Sequence, residues 1–436
     1  MPRMANPELP VPDGLVLRPF RGVRFAVDDL AEVTSPPYDL IAENDVRGLL
    51  DAHPNNVVRL ILPGADRHRY AEAREILRSW LSSGVLIVDE TPAVYIYEQT
   101  GEGVLQRGII GDVGLAAPEQ RVILPHEDVM PGPVADRLAL MRTTEANLEP
   151  IFLLYEGRGG AATRLVDRVA ATRPPLTEAE TQDGLRHRLW AVTDPAELAE
   201  LGGDLRARSA LIADGHHRYA TYRALQAERR ATRPPTRATR SPEEDALDPW
   251  DFGLALLVDV DAYPPELKAI HRVVPGLALD EAVARARGAW QVHEHPDLAK
   301  GLTALEETTG PAFLLSDGDS AHLLTDPDPC QLEHAMPADR SARWRALNTS
   351  VLAEFLLPKV WGMRDDEQRV RIVHHDPEAA VRLARECGGT AVLLNPLKVD
   401  DVLAVAAQGE RVPRKSTSFG PKPRTGLILR LLTEQP

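Results

Sequence analysis

Strand-like and helix-like segments alternate along most of this chain, and that alternation restricts it to an α+β (mixed α/β) architecture rather than a bundle or a sandwich. NVVRLILP, starting at Asn56, reads as a buried strand because valine, isoleucine and leucine dominate it. HRYAEAREILRSWLSS follows with apolar residues at helical spacing, and Gly84 ends it. AVYIYEQ, VLQRGIIGDVG, PIFLLYE, RHRLWAV and ALIA read as further strands. No solenoid-like repeat is present. The segment Glu228–Pro249 has almost no apolar residues and switches from basic to acidic, so it reads as a mobile insertion or linker, with a frayed helix end and an ordered loop as the alternative. Three regions follow: a core over 11–227, the linker over 228–249 and a carboxy-terminal α/β region over 250–436. In the last, HHDPEAAVRLARECGG predicts a helix with Asp376 as N-cap, Pro377 at its first position and Gly388 beyond its end. His374 and His375 then sit just before a capped helix, a poor arrangement for metal ligands.

Charge and composition remove several functions. With 436 residues, 43% of them apolar, the chain has a sizeable core to build. A net charge of −15 argues against nucleic acid or an anionic membrane as the main partner. Two cysteines, Cys330 and Cys387, exclude a disulfide framework and suit a reducing cytoplasm. The amino terminus lacks the apolar core of a signal peptide, and the best apolar run, FGLALLVDV, is too short to span a bilayer.

Three clusters could carry chemistry. In LIADGHHRYATY a short strand delivers Asp214 and Gly215 to the start of a helix, where unpaired N–H groups and the macrodipole favour phosphate. His216, His217 and Arg218 add donors, and Arg218 suits bidentate phosphate contact. Neighbouring helical residues lie about 100° apart, so only one of the two histidines can face a small ligand. Basic residues paired with nearby carboxylates are the competing reading. In the second cluster, His126 and Glu127 occupy a proline- and glycine-rich loop, Asp136 and Arg137 begin a helix, and Asn147 lies near its exit. Glu127 could serve there as a general base, with a salt-bridged helix entry as the alternative. The third, RVPRKSTSFGPKPRTGLILR, holds six basic and no acidic residues; Lys415, Ser416, Thr417 and Lys422 suit an anion, though the spacing is not that of a Walker A loop and a solvated basic loop competes. Finally, VTSPPYDLI holds Tyr38 and Asp39 behind two prolines, as a site or a packing corner.

The ordered set SPPYDLI, NVVRLILP, LPHE, DR…N…PIF, ADGHHRY, HRVV and KSTSFGPK…TGL resembles the DUF1015 family from about Leu17 to Leu432. That family is in turn similar to free L-serine kinases, and DGHHR resembles the phosphate-binding signature of ParB/sulfiredoxin-like folds. The resemblance implies a ParB/sulfiredoxin-like catalytic core and a phosphoryl transfer to a small hydroxyl compound such as L-serine. It implies pyrophosphate, ATP or ADP as donor and Mg2+ as its companion; the metal ligands stay unknown. The roles expected are Glu127, Asp214 and His126 in catalysis; Gly215, His216, His217, Arg218, Lys415, Ser416, Thr417 and Lys422 on phosphate; and Tyr38, Asp39, Asp136, Arg137 and Asn147 on the substrate. The family usually carries lysine where this chain has Val134, and tyrosines where it has Ser418 and Gly420. A ParB-like nucleotide-binding or DNA-associated regulator is the alternative. Sulfiredoxin chemistry would need a cysteine where His216 stands.

Overall fold

The computed structural model describes residues 14–63, 67–232, 248–366 and 368–433. The chain divides into two compact units. Unit 1 takes the residues up to Pro125, Val129–Pro265 and the stretch from Pro421; unit 2 takes His126–Asp128 and Glu266–Gly420. Phe252–Asp259, assigned by the sequence reading to the carboxy-terminal region, therefore belongs to unit 1, as does Lys422.

Unit 1 is built on a mixed nine-stranded sheet. In chain order its strands are β1 (Leu17–Arg18), β2 (Val94–Gly101), β3 (Val104–Gly114), β4 (Ile123–Leu124), β5 (Ile151–Tyr155), β6 (Thr177–Glu180), β7 (Arg186–Val192), β8 (Ala210–Asp214) and β9 (Phe252–Asp259). They lie side by side as β4-β8-β5-β9-β3-β2-β7-β6, with β1 beside β3. Pairs β8/β4 and β9/β5 are parallel; the other contacts are antiparallel. All eight residues of β9 are buried, as expected for a central strand covered on both faces. Gly253 in β9 admits the Tyr222 ring, which would lie 2.3 Å from any Cβ placed there. Helices α1 (Arg67–Ser82), α2 (Pro131–Thr144) and α3 (His216–Thr232) pack in sequence, α1 on α2 and α2 on α3. A second pair, Ala161–Thr172 and Pro195–Leu205, packs together, and the first of them lies against β2 and β3.

Unit 2 carries a six-stranded sheet with every pair antiparallel. Its strands are β10 (Ile270–Val274), β11 (Gln291–His295), β12 (Phe313–Ser316), β13 (Ala321–Thr325), β14 (Arg371–His374) and β15 (Thr390–Leu393), in the order β11-β13-β12-β15-β10-β14. Helices Leu298–Glu306 and Pro377–Glu386 bury Leu305, Ala380, Val381 and Ala384 against Val273, Leu314, Leu323 and Leu393. Asp376 caps the second of these through Ala379 N, 2.8 Å away, and Gly388 follows its end with φ +57°.

Three expectations need correction. NVVRLILP is not a strand: Val58–Ile61 form a helical turn that Asn56 Oδ1 starts by accepting from Val58 N at 2.9 Å. A short, wholly buried apolar run has no period that separates the two conformations. The helix expected to begin at Asp136 starts earlier, with Pro131 at its first position, so Asp136 and Arg137 lie inside it. Helix α3 continues to Thr232, five residues into the expected linker, and Arg142 Nε holds Glu228 there at 2.7 Å. Residues 233–247, the rest of that stretch up to Asp248, lie outside the described residues. Among the described residues no helix is long and apolar enough to cross a membrane.

His187 supplies a test of unit 1. It is buried on β7, with Nδ1 at 2.8 Å from Tyr97 Oη and Nε2 at 3.1 Å from Thr181 Oγ1. Burial, and then Arg424, lower its pKa from 6.5 to about 4 against the opposing pull of Asp183. The unfolded chain therefore binds this proton first, so the stability is present above 6.5 and is lost as pH falls towards 4. At about 1.4 kcal/mol per pH unit the window is worth about 3 kcal/mol. His187→Gln keeps a donor and an acceptor without the titration. Urea melts should show a clearly smaller loss across this window in the variant; an equal loss would place the acid sensitivity elsewhere.

Candidate functional site

The best-formed cluster in unit 1 grows from the junction of β8 and α3. Asp214 ends the strand, His216 begins the helix, and Gly215 turns the chain between them at φ +91°, where a Cβ is strained. The space a Cβ would take lies 3.1 Å from Arg218 Nε, so the arginine folds back over the glycine. Its Nη2 donates to Asp214 Oδ2 and its Nη1 to the Pro150 carbonyl at 2.5 Å. Lys422 reaches the other oxygen of Asp214 at 2.6 Å and Asp39 Oδ2 at 2.7 Å. Beside them Tyr38 N donates to Glu149 Oε1 at 3.0 Å, and Thr425 Oγ1 donates to the same oxygen at 3.0 Å. The Arg137 guanidinium lies 4.6 Å from the Tyr38 ring centre. A cavity of about 30 Å³ is bordered by Arg137, Asn147, Glu149, Arg218 and Tyr222, among others; one or two waters would fill it.

Burial raises the cost of every charge here, and opposite charges offset it. Burial pushes Asp39 up, but Lys422 and then Arg218 outweigh it and hold the carboxyl below its ordinary range. Burial pushes Lys422 down, and Asp214 and Asp39 raise it beyond its ordinary value. Arg218 is raised in the same way against burial, by Asp214, Glu149 and Asp39. Tyr38 is pushed up to about 12 by burial, with Arg218 opposing. The Asp39 contribution is thus lost as pH falls through its lowered pKa, and that of Lys422 as pH rises through its raised one. Between those limits Asp39 and Lys422 are both ionised.

Other expected residues have different places. Unit 2 brings together His126, Glu127 and Thr417: Thr417 Oγ1 donates to Glu127 Oε1 at 2.9 Å and lies 2.7 Å from His126 Nε2. A hydroxyl has one proton. With Thr417 donating to the carboxylate, His126 must present N–H at Nε2. Ser416 Oγ donates to the Pro413 carbonyl at 2.6 Å, and Lys415 is exposed. In unit 1, His217 Nε2 accepts from Met130 N at 3.1 Å and so ties α3 to the start of α2, while His216 is buried. Asp136 is held by Arg137 Nε at 2.8 Å and by the Tyr70 hydroxyl. Asn147, expected on the substrate, spends its carbonyl oxygen on Arg430 Nη1 at 3.0 Å and Leu254 N at 3.2 Å. Among the described residues no three or more His, Cys, Asp or Glu side chains converge as metal ligands. At the positions where the family usually has tyrosine, Ser418 Oγ meets His375 Nε2 at 2.6 Å, and a Cβ on Gly420 would meet nothing closer than 4.0 Å.

The sequence reading missed Glu149, whose one signal was a charge directly before Pro150 in an otherwise apolar run. It also missed Tyr222, whose hydroxyl donates to the Glu149 carbonyl at 3.0 Å.

Two substitutions test the cluster. Gly215→Ala forces a side chain into the left-handed region and against Arg218, and should cost about 1–3 kcal/mol in urea unfolding; an unchanged midpoint would mean the turn is not strained. Lys422→Met leaves the buried Asp214 to Arg218 alone and takes the cation from the partly exposed Asp39, and should cost about 1–3 kcal/mol, with part regained in Lys422→Met/Asp39→Asn. If the double variant is no more stable than the single, the coupling between Lys422 and Asp39 is refuted.

Solved structures to which this chain is similar include a free serine kinase in complex with AMP, at 14% identity and TM-score 0.35, covering 72% of this chain and 87% of that one. SbnI from Staphylococcus aureus is 12% identical at TM-score 0.38, over 74% and 87% of the two chains. A conserved hypothetical protein from Pyrococcus furiosus is 14% identical at TM-score 0.34, over 72% and 90%. No curated protein sequence matches the chain. The family DUF1015, described as a protein of unknown function, matches residues 17–350, a span that takes in Tyr38, Asp39, Asp214 and Arg218 and stops short of the KSTSFGPK stretch. The chain belongs to the DUF1015 family.

Proposed function

We propose that the protein is a small-molecule kinase that transfers a phosphoryl group from pyrophosphate or an adenine nucleotide to the hydroxyl of free L-serine or a close analogue. The observation that carries this reading is the strand–glycine–helix junction at Asp214–His216, with Arg218 and Lys422 on one carboxylate. Such a junction aims backbone N–H groups and the helix dipole at an anion, in the manner of ParB/sulfiredoxin-like phosphate sites. Lys422 has three N–H donors, and Asp39 and Asp214 take two. The third is available to a phosphoryl oxygen. Mg2+ would arrive on the donor phosphates, needing one or two carboxylates from the protein, and would neutralise their charge; Asp39, which gives Lys422 one of its oxygens, is the carboxylate of this cluster suited to it.

In the transfer, the acceptor oxygen forms a bond to phosphorus as the bridging P–O bond of the donor breaks, its electron pair leaving on the departing phosphate. The acceptor proton must go to a base. Asp214 is poorly placed for that because Arg218 and Lys422 occupy its two oxygens. Glu127 is our candidate: its carboxylate is partly exposed, and Thr417 orients it.

Phosphorus NMR of ATP, ADP and pyrophosphate, each with serine, threonine, homoserine and small polyols and with Mg2+, should show a phosphomonoester signal with serine. Glu127→Gln should lower turnover by about 10²–10⁴-fold while leaving the donor-induced rise in melting temperature largely intact. A protein that binds a nucleotide and phosphorylates nothing in the panel would overturn the kinase reading in favour of a nucleotide-binding regulator. Wild-type turnover in Glu127→Gln would remove Glu127 from the base role.

A further inference from the structure

Arg272 sits in the middle of β10, in unit 2, with its side chain 1% exposed. Its Nη1 donates to the Ile270 carbonyl at 2.9 Å. Its Nη2 donates to two consecutive carbonyls, Arg414 and Lys415, each at 2.9 Å. Consecutive carbonyls of an extended chain point in opposite directions. They can converge on one nitrogen only where the residue between them turns, and Lys415 is a non-glycine residue held at φ +52°. That conformation costs free energy and persists where the surroundings impose it. Asp365 completes the arrangement: it pairs with Arg414 Nη2 at 2.8 Å and lies 3.9 Å from Arg272 Nε. Directly after the turn come Ser416, tied to Pro413, and Thr417, whose hydroxyl orients Glu127.

We infer that Arg272 is a positioning residue: its buried guanidinium clamps the Arg414 and Lys415 carbonyls, sets the left-handed turn at Lys415 and thereby delivers the Thr417 hydroxyl to Glu127. The catalytic consequence rests on the role proposed above for Glu127; the clamp itself does not. Lysine cannot replace the arginine, because a single ammonium on a flexible stem lacks the planar fork that spans three carbonyls.

Limited trypsin digestion reads the clamp without any activity. Both Arg414 and Lys415 are trypsin sites, and their carbonyls are the ones Arg272 holds. In the wild-type protein these bonds should survive while the bond after Arg158, an arginine with a 76% exposed side chain, is cut. Arg272→Met should raise the rate of cutting after Arg414 or Lys415 by about tenfold or more. Arg285→Met, which removes another arginine-to-carbonyl bond in unit 2, the one to Trp361, should not. Where the panel above finds turnover, Arg272→Met should lower kcat with little change in the donor KM, and Arg272→Met/Glu127→Gln should be no slower than Glu127→Gln alone. A wild-type protein cut after Arg414 or Lys415 as fast as after Arg158 overturns the clamp. So does an Arg272→Met protein that is folded and cut at the wild-type rate. Should Arg272→Met fail to fold, Arg272→Lys is read in the same way. Clamp behaviour in a chain that transfers no phosphate would fell the kinase reading and leave the clamp standing; an active chain whose kcat is unmoved by Arg272→Met would overturn the positioning role.

Discussion

One carboxylate organises unit 1. Asp214 receives Arg218 from four residues ahead and Lys422 from more than two hundred residues away, and Lys422 in turn holds Asp39. A buried carboxylate without partners is expensive, and so is a buried ammonium. Each of the three segments therefore depends on the other two: the turn at Tyr38–Asp39, the start of α3 and the stretch that begins at Pro421. This dependence explains why the last residues of the chain belong to unit 1. The same stretch is also paired by backbone, with Thr425 on Ser35 and Leu429 on Val23. Contacts of such sequence separation close late and slowly.

A second buried charge group gives a motif residue a structural task. Asp112 lies between Arg18 and Arg430, and Arg430 passes on to Asn147 and the Pro249 carbonyl. Burial raises the Asp112 pKa, with the two arginines opposing. The Asn147 carbonyl oxygen thereby helps to join the amino-terminal strand, the middle of the sheet and the chain end. Its carbonyl oxygen serves this joint, while the residue also borders the cavity beside Arg137 and Glu149.

Much of the fold was legible because its period was. Strands β2, β3, β5, β7 and β8 carry β-branched and aromatic runs between polar breaks, and the Asp376 cap announces itself by residue type. Asn56–Pro63 was not legible, since a continuous apolar run of that length is compatible with either conformation. For the site, ADGHHR was readable as a strand entering a helix, and its position agrees. What sequence could not give was pairing: that Lys422 meets Asp39, that Glu149 meets Tyr38 and Thr425, or that Arg272 reaches back to Arg414 and Lys415. None of these has a local signature, because tertiary ion pairs depend on where the sheet brings distant segments.

The same limit changes how the basic stretch from Arg411 to Arg430 should be weighed. Six cations without an acid look like an anion site inside an acidic chain. In the fold, Arg414 meets Asp365, Lys422 meets Asp39 and Asp214, and Arg430 meets Asp112. Arg411 lies 3.9 Å from Asp128, and Arg424 donates to Thr34 and the Ala31 carbonyl. Only Lys415 among the six is exposed. Counting positive residues therefore overstates the field an anion would feel. Under the kinase reading proposed above, what an anion would meet in unit 1 is the remaining donor of Lys422. On that reading the donor is a directional hydrogen bond more than a pool of charge, which would suit a ligand whose oxygens are fixed in space, as those of a phosphoryl group are.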